Sequence, residues 1–91
     1  MSLTWDPMSP FETLWYKWDF SADLDGDTLS SVEQPVGTDV TVQSYVNDPT
    51  SVSVQLTAGV ANAVATVLFK VHLTSGDELS QTVEIFIDPN R

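Results

Sequence analysis

The chain contains no cysteine, which excludes disulfides and thiolate metal sites. Cations are nearly as scarce: three Lys and Arg stand against 13 Asp and Glu, a net charge of −10. With Lys17, Lys70 and Arg91 as the whole cationic complement, there is little to grip a phosphate backbone, so no nucleic-acid binding is expected. Anionic membrane surfaces are disfavoured on the same ground. No apolar run approaches the ~20 residues of a membrane-spanning helix. The N-terminus shows no basic segment followed by an apolar one, the pattern of a secretory signal. Histidine occurs once, at His72 on the polar set of its strand, where it reads as an exposed sheet residue. Without a cysteine or a second histidine there is no nucleophile relay, and no glycine-rich phosphate loop is present.

What remains is a chain of 91 residues, 42% hydrophobic and 18% charged, the balance of one small globular domain. At this length a core is adequate but thin, burying about 60–65% of the unfolded surface. Residues 1–13, MSLTWDPMSPFET, hold two prolines and no steady period, and read as an irregular arm before a domain over 14–91. Its Trp5, Met8 and Phe11 need a docking place on the parent domain or on a neighbour.

From residue 14 the pattern is period two. In LWYKWDF, Leu14, Tyr16, Trp18 and Phe20 share one face. SADLDGD reads as a turn, and TLSSVE as a weaker strand stopped by Pro35 and Gly37. DVTVQSYV sets Val40, Val42, Ser44 and Val46 against Thr41, Gln43 and Tyr45; SVSVQLT aligns Val52, Val54 and Leu56. The longest run aligns Ala63, Ala65, Val67, Phe69, Val71 and Leu73, and the last aligns Leu79, Val83, Ile85 and Ile87 around Gln81. About six or seven short strands with no helical period predict an all-β fold, a single antiparallel immunoglobulin-like β-sandwich.

The final hairpin carries a register constraint. Opposed residues in an antiparallel pair share a face, so Phe69, Val71 and Leu73 must oppose members of the Leu79–Ile85 set, and paired numbers must sum to an even value. A sum of 154 is favoured, because it opposes Lys70 to Glu84 and Leu68 to Phe86; 150 and 152 also satisfy the rule.

Asp23, Asp25 and Asp27 stand where an EF-hand loop places its first three ligands. The loop then fails: Thr28 occupies the glycine position and Gln34 the bidentate glutamate position. Asp and Gly are turn formers, so the stretch reads as a solvated turn, with a weak cation site as the lesser alternative. No metal or other cofactor is expected. Carboxylates suited to sugar hydrolysis are plentiful, but so small a sandwich has little room for a cleft, and no enzymatic activity is expected.

The segments DP at 6–7, YKWDFSADLDGDTLSSVE at 16–33 and VTVQ through EIFI at 40–87 resemble a group of small tailed-bacteriophage proteins. The specific part is Tyr16, Asp19, Leu24, Asp27 and Thr28 to Ser31, with TSGD at 74–77; where that group has a glycine pair before the long strand, this chain has Gly59 alone. The resemblance implies an Ig-like structural or accessory protein of the virion, head- or tail-associated, made in the host cytoplasm, with other virion proteins or further copies of itself as partners. It carries no catalytic residue over. Combined with the apolar side chains left outside the inward sets, it marks Trp5, Met8, Phe11, Trp15, Leu68 and Phe86 as candidate contact residues. An alternative is an adhesive or carbohydrate-binding module that stacks sugars on Trp5 and Trp15.

Overall fold

A computed structural model describes residues 3–90. Eight strands and one helical turn follow in order: β1 (Leu3–Thr4), β2 (Leu14–Asp19), α1 (Ser21–Leu24), β3 (Leu29–Val32), β4 (Val36–Thr38), β5 (Thr41–Asn47), β6 (Ser51–Thr57), β7 (Val64–Leu73) and β8 (Glu78–Phe86). They form two facing sheets. The smaller has the order β2-β6-β5 and is antiparallel throughout. The larger has β1-β8-β7, with β3 and β4 sharing the far edge of β7. All its pairs are antiparallel except β1 on β8, which is parallel.

The alternation expected from the sequence packs the two layers together. Val52, Val54 and Leu56 of β6 face Ala65, Val67, Phe69 and Val71 of β7 and Val83 and Ile85 of β8, all essentially without solvent exposure. Five rings run through this core. Trp5 stacks on Tyr16 with centroids 5.0 Å apart and meets Phe69 edge-on at 5.9 Å; Phe69 meets Phe20 at 6.4 Å, and Phe20 meets Trp18 at 6.2 Å. Such edge-to-face pairs add to what area burial alone contributes.

The final hairpin obeys the parity rule, with Phe69 opposite Gln81 and Val71 opposite Leu79, but the sum is 150 rather than 154. The turn decides. Leu73 N–H donates to Asp77 O and Gly76 N–H to Leu73 O, closing a three-residue loop with Gly76 at φ 101°. That is the type I turn plus left-handed residue in which glycine carries no steric cost. Lys70 therefore opposes Ser80, and Leu68 opposes Thr82, instead of Glu84 and Phe86.

Three further departures have local causes. The turn SADLDGD contains the one-turn helix α1, closed by Asp25 at φ 48° and Gly26 at φ 83°. A bulge at Gln43 reverses the faces of β5, so Tyr45 opposes the inward Val54 while Val46 opposes Ser53 on the outer face. The chain also pairs again after Pro35, as β4. Gly37 permits this, because a Cβ there would lie 2.3 Å from the backbone oxygen of Val40. Gly37→Ala is expected to lower stability by about 1–3 kcal/mol through that overlap. A urea midpoint matching the wild type would show that the backbone relaxes freely there.

Candidate partner-contact surfaces

The arm is built into the sandwich. Met8 N–H donates to Phe86 O at 3.1 Å, Asp88 N–H donates to Met8 O at 2.8 Å, and the Met8 side chain is wholly buried. Trp5 N–H donates to Glu84 O, its Nε1–H donates to Lys17 O at 3.2 Å, and Tyr16 O–H donates to Asp6 O at 3.1 Å. Of the arm residues marked from sequence, Met8 and Trp5 are thus spent inside the chain. Tyr16 covers one face of the Trp5 ring and Phe69 meets the ring edge-on.

Phe11 is different. Ser9 and Glu12 close a turn: Glu12 N–H donates to Ser9 O at 3.2 Å, Ser9 N–H to Glu12 Oε1 at 2.7 Å, and Phe11 N–H to Ser9 Oγ at 3.1 Å. Ser9 is buried, yet Phe11 is 91% exposed. Trp15, half exposed, lies on the outer face of the small sheet opposite Gln55. Leu68 and Phe86 lie on the outer face of the larger sheet, opposite Thr82 and Val64. The six residues therefore do not form one surface. Phe86, however, has company: Val64 and Val60 are exposed beside the same end of the sandwich, and Val36 is exposed opposite Leu68.

The two ends of this 43 × 25 × 16 Å body differ in chemistry. At one end three loops are stitched together. Phe20 N–H donates to Thr50 O, Leu29 N–H to Pro49 O, and Thr74 N–H to Thr28 O. They carry Asp23, Asp25, Asp27, Asp48 and Asp77. Asp27 works as a brace: Oδ1 accepts from Thr28 N–H at 2.8 Å and Oδ2 from Ser75 N–H at 3.4 Å. Hydrogen bonds from Ser75 and Thr28 hold its carboxyl below the usual carboxylate range. Among the described residues, no three acidic or histidine side chains are grouped as a metal ion requires. His72 stands between Glu33 at 3.0 Å and Glu78 at 3.2 Å, linking β7 and β8 to the chain leaving β3.

Asp48 tightens the β5–β6 turn. Its Oδ1 accepts from Thr50 N–H at 2.9 Å and Ser51 N–H at 2.8 Å, and these bonds, that from Thr50 foremost, lower its pKa. A carboxylate depressed in this way stabilises the fold above its unfolded pKa of about 3.9, and the contribution is lost as pH falls through the lower folded value. Asp48→Ala is expected to lower the thermal midpoint by a few degrees at pH 7, and the gap from wild type should close as pH drops below about 4. A gap that stays constant to pH 2 would show that charge on Asp48 is irrelevant.

The sequence model of the family described as podophage GP4 fiber-tail adaptor protein gp77 matches residues 8–86. The chain belongs to that family. It is a bacteriophage structural protein, a component of the virion that acts through protein contacts. The sequence resemblance to virion proteins thus holds at the level of a phage structural protein. No curated protein matches the chain. The matched span includes Met8, Phe11, Trp15, Leu68 and Phe86 and leaves out Trp5. Among the described residues, no helix is long and apolar enough to cross a membrane.

Proposed function

We propose that this protein is a fiber–tail adaptor: a non-enzymatic, immunoglobulin-like module, made in the host cytoplasm and built into the virion, that joins a fiber component to the tail by protein–protein contacts. The family match over residues 8–86 is the observation that carries this reading. The strand order supports the immunoglobulin type. The order β2-β6-β5 opposite β8-β7-β3/β4 corresponds to strands B-E-D opposite G-F-C of that fold. The two ends of the body differ, one carrying Asp23, Asp25, Asp27, Asp48 and Asp77 and the other exposing Phe11, Val60, Val64 and Phe86 among fewer acids, which suits a part with two different neighbours.

Phage carrying a deletion of this gene tests the proposal. Particles are expected to keep heads and tails but to lack fibers, and trans-complementation should restore both the chain and the fibers in the mass spectrum of purified virions. Deletion particles with a full complement of fibers would refute it.

A further inference from the structure

Resting on the adaptor reading, we propose that Phe11 is the docking knob of this protein, and that its occupant is an apolar socket, rimmed by Lys or Arg, on a neighbouring virion protein. A single exposed apolar side chain carries no such meaning by itself. Phe11 is set apart by its mounting. The residues just before it, Met8 and Ser9, are buried, and three hydrogen bonds within Ser9–Glu12 fix the turn that holds the ring out. Pro10 stiffens the same turn. A ring on so rigid a pedestal loses little conformational freedom on docking, which is the condition under which one side chain anchors an interface.

Its surroundings extend the contact. Thr13 Oγ1 lies 2.9 Å from Thr57 Oγ1, Met8 is bonded to Phe86, and Asn62 N–H donates to Ile87 O. The Phe11 turn, the 58–63 loop and the end of β8 therefore close the same end of the sandwich. Val60, Val64 and Phe86, exposed by 52%, 56% and 37%, belong to that end.

Charge selects the occupant. The chain carries −10, and Glu12, Asp39 and Asp88 stand at this end. Of the described cations, Lys17 is 4.0 Å from Asp48 at the acidic end, and Lys70 opposes Ser80 toward the hairpin turn. Among the described residues, a second copy meeting this one by the same end would therefore bring like charge and no cation to the contact, whereas a partner with a basic rim complements it.

The test is complementation of the gene-deleted phage with wild type, Phe11→Ser and Phe11→Leu, counting copies of the chain per purified particle. Because Phe11 lies almost wholly in solvent, both purified variants should unfold at the wild-type temperature. Phe11→Ser is expected to lower occupancy roughly 10- to 100-fold, and Phe11→Leu to keep most of it, as loss or retention of one buried apolar anchor requires. Wild-type occupancy with Phe11→Ser would overturn the proposal. So would a dimer of the purified chain that Phe11→Ser converts to monomer, since the socket would then belong to a second copy. Particles that lack the wild-type chain altogether would refute the adaptor reading, and the knob with it.

Discussion

Deleting residues 1–13 is expected to abolish the cooperative folding of this domain. The segment contributes Met8, with no exposed surface, and Trp5, which stacks on Tyr16 and meets Phe69 edge-on. Truncating one buried Met costs about 2–5 kcal/mol, and truncating a Trp about 3–5. The deletion also removes the backbone bonds from Trp5 and Met8 to Glu84 and Phe86, leaving the edge of β8 bare along its second half. Against this stands a total stability of roughly 5–14 kcal/mol for a chain of this length. Even with partial relaxation the loss approaches the whole. Tryptophan fluorescence, from Trp15 and Trp18 in the truncated chain, through a urea titration checks the outcome: the truncated chain should show no sharp transition, and Met8→Asp should behave similarly. Phe11→Ser removes an aromatic from the same segment and should leave the midpoint unchanged. A truncated chain that unfolds sharply near the wild-type midpoint would show that the arm is an accessory rather than part of the core.

Much of the architecture was legible because inward and outward residues alternate strictly where strands are central. In β7 every second residue from Ala65 to Leu73 is buried, and the sequence alone states that face. The pattern blurs where a bulge resets the count. Leu29 and Val32 are three apart, yet both oppose inward residues of β7, Leu73 and Val71, because Ser30 is bulged out and donates to His72 O. Period two cannot survive that, so TLSSVE looked weak. Gln43 has the same effect in β5. β4 escaped because Gly37 reads as a breaker, whereas its role is to let Val40 O approach. The hairpin parity followed from burial, but its value was set by the Thr74–Gly76 loop, which opposes Lys70 to Ser80 where a sum of 154 would have opposed it to Glu84. For the contact residues, composition could name apolar side chains without a strand partner. It could not separate Met8, held by long-range bonds to β8, from Phe11, three residues on and fully in solvent.

Phe69→Ala is expected to have the largest effect of any single substitution in β7. The ring is completely buried at the centre of the aromatic row, touching Trp5 of the arm on one side and Phe20, at the end of β2, on the other. It is thus the side chain through which the arm, the small sheet and the large sheet meet. Phenylalanine-to-alanine changes in cores cost about 3–5 kcal/mol, and at this site both flanking rings lose an edge-to-face partner together. For a domain of this size that corresponds to a fall in thermal midpoint of roughly 15–30 °C. Phe69→Leu retains most of the volume and should fall much less. The geometry also makes a more specific claim: Trp5→Ala and Phe69→Ala should not add. Once Phe69 is gone, Trp5 has lost its core contact and retains Tyr16, so the double variant should be less destabilised than the two singles summed. To keep the double variant folded, the cycle is best measured in a stabilising osmolyte, by loss of near-ultraviolet circular dichroism on heating. Strict additivity would mean that the arm and the β7 core are energetically separate, and that the row of rings is proximity without coupling.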